Sequence, residues 1–341
     1  MRAFEACLGI AMLGFAMAFS TSAQTPAVSS AASTPAQGGI VSGIAATEPA
    51  IPVPATTPAV EMLMSFRESD VKFDVGELMR LLRDPNHEGW VLSAYPDPKT
   101  GQPLIGAGVS IDLPAREHPQ RDPLNPHPFL EPASAELWQA AGLETERLNR
   151  ILDDFHSKLA TWDMQEYRRH LGELTPQITD GEAMQLLRMA AIQSILNAKA
   201  YCRQFDELTA SQQMALSQLV FQIGFNLQEF NEFLAMINSD AVAPSARKIV
   251  ARDVNYWNGV QKSLIKSQWA RLYRSRAISV IAMLDPRYNQ SPRLAERRVG
   301  VTLRPAVVHR RRARTELASA RKRGGAHAAR KARRAHSKRK A

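Results

Sequence analysis

His87-Glu88-Gly89-Trp90-Val91-Leu92-Ser93-Ala94-Tyr95-Pro96-Asp97, followed after a turn by Leu104-Ile105-Gly106-Ala107-Gly108, is the stretch that decides the fold. Trp90 to Tyr95 reads as a strand, Pro96 to Gly101 has turn chemistry, and Leu104 to Ile111 reads as the return strand of a hairpin. Upstream, Asp74 is a good helix N-cap with Glu77 three residues on, a capping box. Val75, Leu78, Met79 and Leu82 then share one apolar face. Pro85 stops that helix, because the residue before a proline avoids helical geometry. Glu88 therefore follows a helix end and Asp97 sits at a hairpin tip. Two carboxyls on opposite walls of a cleft, one keeping its proton and one ionised, suit general acid/base cleavage of a glycosidic bond.

Beyond the hairpin, Leu113 to Pro132 is proline-rich with little periodicity. It reads as a long inserted loop, a kind of segment that is often functional or disordered. The rest reads as helical. One helix is expected over about Glu144 to Leu171, with Leu148, Ile151, Leu152, Phe155 and Leu159 inward. Another starts at the capping box Thr179 to Glu182 and runs to about Tyr201. A third starts at Thr209, with Gln212 in its capping box, and ends at Gly224. Shorter helices are expected near Gln228–Asn238 and Ser245–Val254, and a final one over Ser263 to Leu284, before Pro286. A small hairpin lobe followed by a helical bundle is an α+β arrangement with a cleft between lobes.

Composition divides the 341 residues into regions of different character. Residues 1–23 read as a secretory leader: Arg2, an apolar run from Ala6 to Phe19, then Thr21-Ser22-Ala23 as a cleavage site. Residues 24–59, rich in Pro, Ala, Ser and Thr, cannot build a core and read as a disordered linker. The folded domain is expected over 60–286, with 113–132 as its insertion, and residues 287–341 as a basic disordered tail. The net charge of +10 is a property of that tail: from Arg304 to Ala341 there are 15 Lys/Arg and one acid, leaving 28 basic and 32 acidic residues before it. Cys7 lies in the leader and Cys202 is the only other cysteine. An exported form then has no internal disulfide and must be stable on its core alone. Cys202 reads as a buried small apolar residue. No cluster of Cys, His and acids has metal-site spacing.

The hairpin motif resembles that of the phage-type lysozymes, glycoside hydrolase family 24. That family has a Glu-Gly pair after a short helix, an Asp nine residues after the Glu, and an Ile-Gly-x-Gly strand closing the hairpin. Glu88-Gly89, Asp97 and Ile105-Gly106-Ala107-Gly108 are similar. Ile178-Thr179-Asp180-Gly181-Glu182-Ala183 resembles the start of the helix after the family's interlobe segment. Ala215-Leu216 through Val220-Phe221-Gln222-Ile223-Gly224 is similar to its central helix. Trp269, with Arg276-Ala277 seven residues on, matches a further landmark. The resemblance covers about Asp74 to Leu284. The leader, linker, insertion and tail lie outside it.

The resemblance implies a lysozyme-like fold and a peptidoglycan hydrolase that needs no cofactor; the leader adds export, periplasmic or extracellular, and a monomer without metal is expected. Glu88 would be the general acid, Asp97 its ionised partner, and Arg276 the residue that orients Glu88. Phe221, Gln222 and Ser110 would line the sugar site. Three features depart from the pattern: the family carries Thr just before Ile-Gly, where it helps hold the attacking water, and here that residue is Leu104, which has no hydroxyl; the His that follows the second Gly in many members is Val109 here; and the turn carries one extra residue between Asp97 and Ile105. Thr100 or Ser110 are the nearby hydroxyls. The departure at Leu104 leaves open a second reading, a non-catalytic peptidoglycan- or envelope-binding protein on the same fold. The tail (Arg310-Arg311-Arg312, Arg321-Lys322-Arg323, Lys338-Arg339-Lys340) would bind polyanions by counterion release. Anionic envelope polymers or lipids are the first partners an exported chain meets. A nucleic-acid-associated protein is a third reading, and it requires that the leader be something else.

Overall fold

The computed structural model describes residues 57–84, 89–239 and 253–304. The leader, nearly all of the linker, most of the tail, all but the last two residues of the helix expected at Ser245–Val254, and Glu88 itself lie outside the described residues.

The chain opens with helix α1 (Pro58–Ser65) and helix α2 (Val75–Arg83). Asp74 caps α2 as expected, its Oδ1 accepting from Gly76 N at 2.8 Å. The inward face of α2 is Val75, Leu78, Met79 and Leu82, all buried. Three antiparallel strands follow, β1 (Val91–Pro96), β2 (Pro103–Gly106) and β3 (Val109–Ser110), in the order β1-β2-β3. The expected return strand is thus two strands. Gly106 at φ 63° and Gly108 at φ 82° adopt a left-handed backbone that reverses the chain between them. Leu104 lies opposite Ser110 and Ile105 opposite Val109.

The inserted segment is an ordered strap. Strands β4 (Arg116–Glu117) and β5 (Leu130–Glu131) pair across it. Asn197 holds its return limb by both ends of its amide: Oδ1 accepts from Leu130 N at 2.7 Å and Nδ2 donates to Leu130 O at 2.8 Å.

Helices α3 (Ser134–Ala140), α4 (Thr145–Leu159) and α5 (Tyr167–Glu173) come next. The single helix expected over 144–171 is therefore two, α4 and α5, with a break between them. Leu159, expected inward, is 37 % exposed at the end of α4. Helix α6 (Asp180–Tyr201) starts at the Thr179 capping box and is buried along most of its length. Helix α7 (Ala210–Ile223) starts at the Thr209 box and ends at Gly224. A 3-10 turn (Gly224–Glu229) and helix α8 (Asn231–Ile237) replace the one short helix expected near 228–238. The expected final helix over Ser263 to Leu284 is instead the last residues of α9 (Val254–Ile265), then α10 (Gln268–Leu272) and α11 (Arg274–Met283). Ser267 makes the first break by capping α10, its Oγ accepting from Ala270 N at 3.1 Å.

The fold also runs past Pro286, which corrects the expected start of the tail. Pro292 opens a further helix, α12 (Pro292–Thr302), and Ala295 and Val299 are buried. Its arginines hide this apolar stripe from a reading by charge.

The protein is α+β, mostly helical with two small antiparallel sheets among the described residues. Two apolar clusters meet on α6. Leu187, Ala191 and Ile195 join the cluster built from α7 and α9 to α12. Leu186, Ala190 and Ile192 join the one that packs Ile105, Val109, Trp138, Ile151 and Phe155. Cys202 is 1 % exposed at the end of α6, and burial pushes its thiol from 9.0 up to about 12.

Two outcomes are expected. Asn197→Ala removes the acceptor of Leu130 N and one of the two donors to Leu130 O, which keeps Gln193 Nε2 at 3.0 Å, and should cost about 2 kcal/mol, read as a lowered midpoint of chemical unfolding. The folded state disfavours the Cys202 thiolate, so this contribution to stability is intact below pH 9 and is lost as pH rises toward about 12. Unfolding at graded alkaline pH should show that decline, steeper in the parent than in Cys202→Ala.

Candidate active site

A cleft of about 780 Å³ is lined by residues of the sheet on one side and of the helices on the other. Asp97, Thr100, Leu104 and Ser110 line its sheet side; Gln222, Trp269 and Tyr273 line the helical side. Its size falls among those of small-ligand sites, about 300–1,000 Å³.

Asp97 stands at the end of β1, where the chain turns. Its Oδ1 accepts from Lys99 N at 2.7 Å and from Thr100 N at 2.9 Å, and its own N–H donates to Gln102 O at 2.8 Å. This is an Asx-type turn, so the acid is held by the turn that it makes. Asp97 is only 6 % exposed. Tyr167 donates to Pro96 O at 3.0 Å beside it. Burial, and after it the charge of Asp97, push the Tyr167 phenol far above its usual range. Lys99 is moved the other way: desolvation lowers its pKa, and Asp97 partly restores it.

On the opposite wall Trp269 Nε1 donates to Gln222 Oε1 at 3.0 Å, tying α10 to α7. Gln222 Nε2 has no hydrogen-bond partner among the described residues, and neither has Ser110 Oγ; both atoms are buried. A buried polar atom without a partner is costly, so each is a position where a ligand or water would complete the bonding. Leu104 also lines the cleft, and Ser110 is its cross-strand neighbour. The hydroxyl absent at Leu104 thus has a counterpart on the next strand.

Sequence reasoning placed Asp97, Leu104, Ser110 and Gln222 together, and all four line this one cleft. Two others are elsewhere. Phe221 is half-buried and packs against both apolar clusters; it is not among the residues lining the cleft. Its neighbour Gln222 faces the cleft because successive helix positions point about 100° apart. Arg276 is buried on α11 and does not line the cleft either. Glu88 is among residues 85–88, outside the described residues, but its flanks are pinned: Arg83 Nη2 and Trp90 Nε1 both donate to Asp180 Oδ1, at 2.8 and 2.9 Å.

Sequence reasoning missed Gln102, Arg116, Asn231, Lys266 and Tyr273, which also line the cleft. Tyr273 had a signal, since it sits four residues after Trp269. Arg116 and Asn231 had none, because a proline-rich loop and a short helix bring them to the cleft.

A scan against protein-family models finds no match to this chain, and a search of curated proteins finds none. Among the described residues no group of three or more His, Cys, Asp or Glu is placed to hold a metal ion, and no helix is long and apolar enough to cross a membrane.

Asp97→Asn keeps a side-chain oxygen for the turn but removes the charge. The Tyr167 phenol should then titrate at lower pH than in the parent while staying above its usual value. Ultraviolet titration of the tyrosines reads this directly, and an unchanged curve would separate Asp97 from Tyr167 electrostatically.

Proposed function

We propose that this protein is an exported lysozyme-like peptidoglycan hydrolase. The observation that carries the reading is the interlobe cleft with an ordered, nearly enclosed aspartate on one wall and a Gln222–Trp269 brace on the other. Asp97, which resembles the phage-type lysozyme motif on the sheet side, lines the same cleft as Gln222 and Trp269 from its helical motifs, and so does Leu104 at the position that departs from the motif.

In this reading an N-acetylated glycan strand lies along the cleft. Glu88 donates its proton to the glycosidic oxygen as the C1–O bond breaks. A water molecule forms the new bond to C1, and its proton passes to the ionised carboxylate side, where Asp97 supports the attack. Arg276 orients Glu88 from the helical lobe. Ser110, across from Leu104, offers the hydroxyl that would seat the water. Gln222 Nε2 offers an N–H donor to a sugar substituent. The basic tail concentrates the enzyme at an anionic envelope through counterion release.

Leu104 favours a second reading, in which the cleft binds glycan without cutting it. One pair of assays separates the two. The chain from Gln24 onward is incubated with insoluble peptidoglycan, and both retention and new reducing ends are followed. Hydrolysis should appear, and Glu88→Gln should lower it by about 10²–10⁴-fold, the share of a general acid. Retention without new reducing ends would establish binding alone. A Glu88→Gln variant as active as the parent would remove Glu88 from the acid role.

A further inference from the structure

The strap is built as a bridge between the two walls of the cleft. Its two ends are stitched together on the sheet side: Leu113 N donates to Ser134 Oγ at 2.9 Å, Ser134 N donates to Leu113 O at 2.9 Å, and Ser134 Oγ donates to Ser110 O at 3.0 Å. Leu113 and Arg116 line the cleft from this side. A few residues on, the strap has reached the helical side. Arg121 Nη1 donates to Gln228 O, and its Nη2 donates to Asn231 Oδ1 at 2.8 Å. Asn231 lines the cleft from that side, together with Glu229 and Phe230.

The crossing is anchored along its length. The His118 ring lies on Phe225 with centroids 3.8 Å apart, and Phe129 meets the same ring edge-on at 5.4 Å. Asp122 pairs with Arg203. Asn125 Nδ2 donates to Lys199 O at 2.9 Å and Ala200 O at 2.8 Å, at the end of α6. Near the hairpin tip the exposed Lys99 Nζ donates to Tyr273 Oη at 3.4 Å and lies 5.9 Å from the centroid of its ring. Exposed side chains change rotamer in picoseconds to nanoseconds, whereas the strap is held at several points at once.

A polymer can thread an open groove and be cut anywhere. A groove spanned by a tethered strap accepts only a strand that stops before it. We propose that the strap closes one end of the cleft and makes the protein act on the ends of glycan strands, releasing short fragments, instead of on internal bonds. The inference rests on the hydrolase reading above. The cleft holds a few sugar units, so the fragments are short.

The test uses long, uncross-linked glycan strands digested to a small extent by the purified full chain and separated by size. Short fragments should accumulate while the remaining strands keep their starting length. Arg121→Ala loses a charged hydrogen-bonding fork and should raise the population of the open strap, and with it the yield of mid-length strands, about tenfold. His118→Ala, which removes the ring contact on Phe225, should shift the products the same way and stands in if Arg121→Ala does not fold. Mid-length strands from the parent at the outset would overturn the proposal while leaving the hydrolase reading intact. No new reducing ends on any strand would overturn both.

Discussion

Helix α6 buries side chains on two opposite faces, and the rest of the protein is arranged by that constraint. An amphipathic helix needs one partner; a helix that is apolar around most of its circumference needs one on each side. The sheet, α3 and α4 cover the face of Leu186, Ala190 and Ile192. The α7 bundle covers the face of Leu187, Ala191 and Ile195. The sheet and the α7 bundle, packed on different faces of one spine, both contribute residues to the groove. The capping box at Thr179 fixes where that spine begins, with Thr179 N donating to Glu182 Oε2 at 2.7 Å.

Each wall of the groove is held by polar groups that also have a local structural duty. Asp97 shapes the turn whose N–H groups it accepts, so the carboxylate cannot drift without undoing the hairpin. Gln222 and Trp269 brace two helices through one hydrogen bond. Such dual use keeps side chains within the narrow tolerances that a reactive site demands. It leaves two atoms, Ser110 Oγ and Gln222 Nε2, buried and without partners among the described residues. Sites that await a ligand commonly carry this kind of unspent bonding capacity.

Much of this was legible in the sequence where local rules dominate. The caps at Asp74, Thr179 and Thr209 and strand β1 follow from spacing and capping chemistry alone, whereas Asp97, Leu104, Ser110 and Gln222 were placed together by the family resemblance. What escaped was decided by tertiary contacts. The strap reads as a loose proline-rich loop, but its order comes from Asn197, Arg203 and Phe225, far along the chain. Helix α12 escaped because its arginines outweigh the two small apolar residues it buries. Phe221 escaped in the opposite sense: an aromatic beside a site residue packs into the interior, against both apolar clusters.

The account as a whole stands on a sugar polymer occupying the interlobe groove. A crystal structure of the full chain with a short N-acetylated amino-sugar oligomer tests it most directly. The oligomer should lie between Asp97 and the Gln222–Trp269 brace, with one end against Arg116 at the strap. Sugar bound elsewhere on the surface, or a groove that stays empty at saturating oligomer, would contradict it.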